Sequence, residues 1–344
     1  MTLTLSDLGW SPHFAAQFAQ HDPTDLTPLR ISEVHYDRLV ALGPDGPRVL
    51  LTPGASTGDF AVGDWVLANG QDHVHALLDR QTLLHRRAAG REAKVQLIAA
   101  NVDTLFIVSS CNADFNIARL ERYLALAHDA GAWPVLVLTK PDLCDDPGDY
   151  ERQARSLDPM LTVLVVNAKD AGDAARMADW VKPGQTAALL GSSGVGKTTL
   201  TNRLTGGDAA TGAVREDDAK GRHVTTARTL KRMENGGWII DTPGMRALRL
   251  EESSEGIEVL YADILELATN CKFTNCEHET EPGCAVKAAL EDGSLDPERL
   301  DRWRKLLAED NRNTETIAQN RAKGKAFAKM VKGVVKQSHK RKGR

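Results

Sequence analysis

The chain has little of what marks a secreted or membrane-embedded protein. Five cysteines in 344 residues are too few and too unevenly placed for a disulfide framework. No apolar run approaches the ~20 residues that cross a bilayer, so no membrane partner is expected. The opening Met1-Thr-Leu-Thr-Leu-Ser-Asp7 lacks a basic stretch followed by an apolar core, so no secretory signal is expected. The expected compartment is the cytoplasm. No internal repeat is present, which sets solenoids and arrays aside. What remains is ordinary soluble composition, 42% hydrophobic and 26% charged, with length for two or three domains.

Acidic residues are absent from one stretch. Asn320 to Arg344 holds ten Lys or Arg and no Asp or Glu, although the whole chain is −4. The remainder therefore carries 33 basic against 47 acidic residues, a charge of −14. An acidic body with a basic tail points to an arm for nucleic acid or another acidic surface. A solvated, solubilising tail is the simpler alternative.

Residues 1–29 are mixed in pattern, with Leu8-Gly-Trp10 and Phe14 as candidates to dock on a neighbouring element. From Arg30 to Arg87 short strand-like runs (Ile31–Tyr36, Arg48–Leu51, Trp65–Ala68, Val74–Leu78) alternate with Gly/Pro/Asn turns. Such spacing suits a small barrel, an OB-fold or an SH3-like one. From Asn101 apolar strands at Val102–Val108, Pro134–Leu138, Leu161–Val166, Thr186–Leu190 and Trp238–Ile240 alternate with helical stretches such as Ile117–Ala130. That rhythm predicts an α/β domain with a mostly parallel sheet. Beyond Gly244, Ile257, Leu260, Tyr261, Ile264, Leu265 and Ala268 predict one amphipathic helix, and Asp296–Glu309 another.

The nucleotide motifs occur in an inverted order. Gly191-Ser192-Ser193-Gly194-Val195-Gly196-Lys197-Thr198-Thr199 follows an apolar strand and opens a helical run, the context a phosphate loop requires. Its glycines let backbone N–H groups wrap the phosphates, with the helix N-terminus behind them. Lys197 is placed for the terminal phosphates, and Thr198 offers Mg²⁺ a hydroxyl. Asp241, after its strand, is placed to hold that ion, and Gly244 to offer its N–H to the γ-phosphate. A phosphate loop alone does not choose between ATP and GTP. Thr139-Lys140-Pro141-Asp142 bears on that choice, because the Asp142 carboxylate can accept from N1–H and N2–H₂ of guanine. Asp142 as a plain turn residue is the competing reading. Thr139 stands where Asn is usual, and Asn167-Ala168-Lys169 is placed on the base's other side. In ordinary GTPases the phosphate loop leads; here it trails by some fifty residues, as in a circularly permuted GTPase.

A glutamine is also lacking. Met245 follows Asp241-Thr-Pro-Gly244, where many GTPases place the Gln that orients the attacking water. Gly221-Arg222-His223-Val224-Thr225-Thr226 lies where a switch loop belongs. His223 is a candidate to position water or is plain polar surface, and Thr225 or Thr226 would complete the Mg²⁺ shell. Farther on, Cys271-x4-Cys276-x-His278-x5-Cys284 offers three thiolates and an imidazole within fourteen residues. That set suits one structural Zn²⁺ in a closed tetrahedron, as against three buried free thiols and a surface histidine.

Together these residues resemble the ribosome small subunit-dependent GTPase A family of bacteria. The most specific matches are the inverted order, Lys220-Gly-Arg-His-Val-Thr-Thr226, Asp241-Thr-Pro-Gly-Met-Arg246, Cys271-Lys-Phe-Thr-Asn-Cys-Glu-His278 and Glu281-Pro-Gly-Cys284. The resemblance implies an extension (1–29), an OB-fold barrel (30–96), a circularly permuted P-loop GTPase domain (97–254), a helical zinc-binding domain (255–316) and a basic tail (317–344). It also implies a monomer that binds GTP/GDP with Mg²⁺ and docks on rRNA of the small ribosomal subunit late in assembly. GTP hydrolysis would be stimulated by that particle. Two other readings compete: a P-loop ATPase, and a non-catalytic RNA-binding module that uses GTP as a structural ligand.

Overall fold

In a computed structural model of the chain, residues 3–22, 25–87, 95–207, 228–241 and 254–312 are described. They form two compact units: Met1–Arg86 with Gln96–Leu248, and Arg87–Val95 with Arg249–Arg344.

In the first unit a short helix, α1 (Pro12–Phe18), precedes five strands: β1 (Thr27–Val34), β2 (Leu39–Gly43), β3 (Gly46–Leu50), β4 (Trp65–Ala68) and β5 (Val74–Leu77). β1 pairs antiparallel with both β2 and β4, β2 with β3, and β4 with β5. A parallel bridge between Leu51 and His73 joins the end of β3 to the start of β5. It closes the ring β1-β2-β3-β5-β4-β1 and selects the OB-fold over an SH3-like barrel. The barrel encloses Leu29, Ile31, Leu39, Ala41, Leu50, Phe60, Val66 and Ala68. β1 starts at Thr27, ahead of the expected boundary at Arg30, because Pro28 is tolerated near the first residue of a strand.

A two-stranded ribbon follows, β6 (Leu83–Arg87) with β7 (Val95–Ala100). Then come β8 (Thr104–Ser110), α2 (Ile117–Asp129), β9 (Trp133–Thr139), α3 (Pro147–Arg155), β10 (Thr162–Val166), α4 (Ala171–Ala175), β11 (Thr186–Gly191), α5 (Lys197–Thr205), β12 (Thr229–Arg232) and β13 (Trp238–Asp241). The strands order as β10-β9-β8-β11-β13-β12, parallel except for β12. Phe106, Val108, Val135, Val137 and Leu189 share one core with Ala174 of α4 and Leu200 and Leu204 of α5. The alternate residues along β8 and β9 face the other side, where α2 packs, since side chains of a strand alternate between faces. Antiparallel β12 carries the sheet on to the barrel, pairing through Thr229 with Glu33 of β1.

The N-terminal segment docks within the same unit. Leu8 and Phe14 are buried, and Trp10 lies edge-on to Trp65 of the barrel at 4.8 Å between ring centres. Gly63, at a φ of 94°, brings the turn before β4 against β7, where a Cβ would lie 2.2 Å from the Ala100 carbonyl oxygen. Any other residue there would push barrel and sheet apart.

The second unit holds α6 (Ser254–Leu260), α7 (Ala262–Thr269), α8 (Ala285–Glu291) and α9 (297–312). The single helix expected through Ile257 and Ala268 is two helices. Tyr261, with φ −113° and ψ 32°, leaves the helical region and becomes the N-cap of α7. Periodicity did not reveal the break because Ile257, Leu260, Tyr261 and Ile264 are buried on both sides of it.

Candidate nucleotide site and metal cluster

The expected nucleotide-site residues that the structure describes gather at one edge of the parallel sheet. Thr139 ends β9, Gly191 ends β11 and Asp241 ends β13, while Asn167 follows β10. This is the carboxyl edge. The chain moves outward in one direction through β8, β9 and β10, and in the other from β11 to β13. The crevice where that direction reverses is the usual ligand position in open α/β sheets.

The phosphate loop spans the crevice between β11 and α5. Gly191, Gly194 and Gly196 have φ of 155°, 82° and 100°. At Gly191 a Cβ would fall 2.2 Å from the Val108 carbonyl oxygen of the adjacent strand, so no side chain fits. Val195 is buried beneath the loop, whereas Ser193, Gly194 and Thr198 are exposed. The Lys197 ammonium donates to the carbonyls of Gly191 at 2.7 Å and Ser192 at 2.6 Å, which keeps the charge within the curve of the loop.

Thr139 is wholly buried, and its role is visible in its contacts. Its hydroxyl donates to the Val195 carbonyl oxygen at 2.6 Å, with Ser109 O at 3.0 Å sharing the proton. The turn after β9 is thus tied to the phosphate loop. A hydroxyl makes the brace that an asparagine amide would otherwise supply, a contact that no sequence signal announced. Lys140 follows in the left-handed region at φ 58°, ψ 42°, a conformation that costs a non-glycine residue about 1–2 kcal/mol. The bend turns the exposed Asp142 back toward the segment after β10, where Lys169 Nζ lies 3.3 Å from Asp142 Oδ2. Asn167 Oδ1 accepts from Lys169 N at 3.0 Å, and Ala168 is buried. Asp142 and the Asn167–Lys169 segment therefore sit side by side, as two walls of a base pocket must.

Asp241 is partly buried, and Lys231 of β12 reaches its Oδ2 at 3.2 Å. Neither β12 nor this lysine was expected from the sequence, because β12 buries only Leu230 and otherwise reads as a charged linker. Gly244, Met245, His223, Thr225, Thr226 and the tail from Asn320 lie outside the described residues.

In the second unit Cys271, Cys276, His278 and Cys284 come together, with all four donor atoms within 4.8 Å of one another. Cys271 Sγ lies 3.8 Å from Cys284 Sγ, and His278 Nδ1 is 3.6 and 3.4 Å from those two sulfurs. Burial, and then Arg304, push the imidazole below its usual pKa, so it is neutral, as a ligand must be. The connecting loop is held from within. The Glu281 carboxylate accepts from the backbone N–H groups of Glu277, Glu279 and Thr280, and its pKa falls to about 2. Arg304 donates to the His278 carbonyl oxygen at 2.8 Å. The four residues form a Cys3His set that could hold a metal ion.

Fold and site together define a P-loop GTPase of circularly permuted motif order. The family model for RsgA GTPase matches residues 77–251. "Small ribosomal subunit biogenesis GTPase RsgA" of Mesorhizobium japonicum is 55% identical over 90% of this chain and 91% of its own length. "Small ribosomal subunit biogenesis GTPase RsgA 2" of Vibrio parahaemolyticus is 45% identical over 98% and 94%. The chain belongs to the RsgA GTPase family. Two solved structures share the fold. YjeQ from Thermotoga maritima has a TM-score of 0.58 at 23% identity, over 83% of this chain and 98% of its own. YloQ, described as a circularly permuted GTPase, has 0.59 at 24%, over 84% and 96%.

Proposed function

We propose that this chain hydrolyses GTP during late maturation of the small ribosomal subunit, binding rRNA and being stimulated by the particle. The observation that carries the reading is the inverted pair of motifs meeting at one sheet edge through the Thr139–Val195 hydrogen bond. Relatives named for small-subunit biogenesis across nine-tenths of the chain support the biological setting. The work then takes place in the cytoplasm, with the chain as a monomer.

The proposed division of labour follows the chain. Residues 30–96 form the RNA-facing barrel, 97–254 the nucleotide domain and 255–316 the metal module, with an extension before and a basic tail after. Gly191–Thr199 wrap the phosphates, with Lys197 neutralising their charge. Lys140, Asp142, Asn167 and Ala168 surround the guanine, and Thr139 braces it from beneath. Thr198 and Asp241, with Thr225 or Thr226, hold Mg²⁺, which supplies positive charge to the β- and γ-phosphates when bound. Gly244 contacts the γ-phosphate, and His223 positions the water where Met245 provides no amide.

Zinc is the proposed occupant of the metal site. Tetrahedral bonds of about 2.3 Å to sulfur and about 2.0–2.1 Å to nitrogen place two sulfurs about 3.8 Å apart and sulfur about 3.6 Å from nitrogen. The spacings of 3.8, 3.6 and 3.4 Å fit that frame. Metal analysis of the purified protein should give one zinc per chain; another metal, or none, overturns the assignment.

GTP turnover measured alone, with purified small subunits and with large subunits tests the function, with Lys197→Ala as the blank. Stimulation by small subunits alone is the expected result. Equal stimulation by both reduces the reading to general RNA activation, and no stimulation favours a non-catalytic GTP-dependent RNA binder. Displacement of labelled GDP by excess ATP would contradict guanine selection.

A further inference from the structure

Two arginines in the first unit are drawn together with no counter-ion among the described residues. Arg86, near the end of β6, donates through Nε to the side-chain oxygen of Gln96 at 2.9 Å. Arg228, the residue before β12, donates through Nη1 to the carbonyl oxygen of Leu97 at 3.2 Å. Gln96 and Leu97 are consecutive on β7, so the two guanidinium groups are moored to neighbouring residues, one through a side chain and one through the backbone. Both are only partly exposed. Arg228 feels this directly, since burial and then the charge of Arg86 lower its pKa. The acids on the two strands that flank Thr229 are engaged elsewhere: Glu33 of β1 holds His35 at 2.9 Å, and Asp241 of β13 holds Lys231 at 3.2 Å.

Like charges held this close repel, and the arrangement costs stability unless an anion joins them. Each guanidinium spends one N–H on its mooring among the described residues, which leaves the remaining donors of two planar forks. That geometry matches a phosphate, whose oxygens accept paired N–H groups from arginine.

We propose that Arg86 and Arg228 form a clasp for a phosphodiester group of RNA, resting on the reading of this chain as a small-subunit GTPase. Its place in the fold gives the clasp a consequence. Arg228 adjoins Thr229, which lies opposite Asp241 across the β12–β13 ladder. An RNA phosphate bound there fixes the end of the strand that faces the metal-side carboxylate. RNA docking and the nucleotide site then share one ladder rung.

The test uses the full-length protein with a non-hydrolysable GTP analogue and purified small subunits, over a series of KCl concentrations. Arg86→Gln, Arg228→Gln and the double variant should bind subunits about five- to tenfold more weakly at physiological salt. For every phosphate that a variant no longer neutralises, the slope of log affinity on log salt falls by about 0.7–0.9. Affinity for fluorescent GDP should be unchanged, and Arg86→Gln should unfold at the same or a higher temperature because a repulsion is gone. Arg228→Lys, which keeps charge without the fork, should fall between. A double variant that is folded, binds GDP and keeps the wild-type salt slope overturns the clasp. So does a wild-type protein stabilised by inorganic phosphate alone through these arginines with no change in slope, which makes the pair a free-phosphate site. Failure of the wild-type protein to bind small subunits is a different result and sinks the underlying function instead.

Discussion

Thr139 shows how one atom can matter at the residue scale. Its hydroxyl is the donor for Val195 O in a fully buried place. Thr139→Val keeps the shape and removes the donor, stranding a buried carbonyl at a cost of about 1–3 kcal/mol. Thermal unfolding and fluorescent-GDP titration should divide that loss between stability and affinity, and Thr139→Ser should restore most of both. Unchanged values in the valine variant would show that the loops need no tie. The Lys231–Asp241 pair gives a second case. At 3.2 Å, with side chains 36% and 27% exposed, it is a half-solvated ion pair worth about 0.2–1 kcal/mol. If Asp241 holds Mg²⁺ as proposed, Lys231 competes only weakly with the ion for the carboxylate. Lys231→Met should lower the Mg²⁺ concentration that half-saturates nucleotide retention, by up to about fivefold, as read by GDP release at graded Mg²⁺. A rise in that concentration would mean that the lysine orients Asp241 for the metal.

Elements differ in how plainly the sequence wrote them. The phosphate loop, the Asp142 turn and the cysteine cluster were legible because each depends on residue type at fixed local spacing. β12 was not, since it is half of a ladder whose other half, β13, supplies the buried Trp238, Ile239 and Ile240. The break at Tyr261 was hidden for the opposite reason, apolar residues continuing through it. The metal loop is the element most dependent on a bound ligand. Cys271–Cys284 contains no helix or strand, and its internal support is the Glu281 carboxylate and backbone turns. If the proposed metal is bound there, removing it with a chelator should expose the backbone amides of 271–284 to hydrogen exchange while fluorescent-GDP affinity stays within about twofold, because a structural metal supplies folding energy locally. Retained protection after verified metal loss would show that the loop folds without it.

At the scale of the whole first unit, barrel and nucleotide domain are joined by a residue that looked unremarkable in sequence. Arg30 interrupts the apolar run Leu29–Ile31, which reads as the outward face of a half-buried strand. Yet β1 is covered on both faces, and Arg30 is 2% exposed. Its guanidinium donates to Leu8 O at 2.6 Å, to Thr186 Oγ1 at 2.6 Å and to Asn101 O at 3.4 Å. The N-terminal segment, the approach to β8 and the first residue of β11 are thereby tied to the barrel through one side chain. Burial pushes its pKa down to about 10, opposed by Asp103 and Asp64, so it stays charged at neutral pH. Removing the guanidinium leaves these buried neutral acceptors unpaired, at a cost of about 1–3 kcal/mol for each one stranded. Arg30→Met retains most of the aliphatic volume and deletes the donors together with the charge that faces Asp103 and Asp64. Hydrogen exchange in urea should show β1–β5 and β8–β11 losing protection together in the wild-type protein. In the variant the barrel should open at lower urea than the sheet, since the antiparallel rung between Glu33 and Thr229 and the Gly63 turn are then the main remaining ties. Simultaneous loss of protection in Arg30→Met would mean that the β1–β12 rung and the Gly63 turn already suffice to make barrel and sheet one cooperative body. Arg30 would then be a source of register and not of coupling.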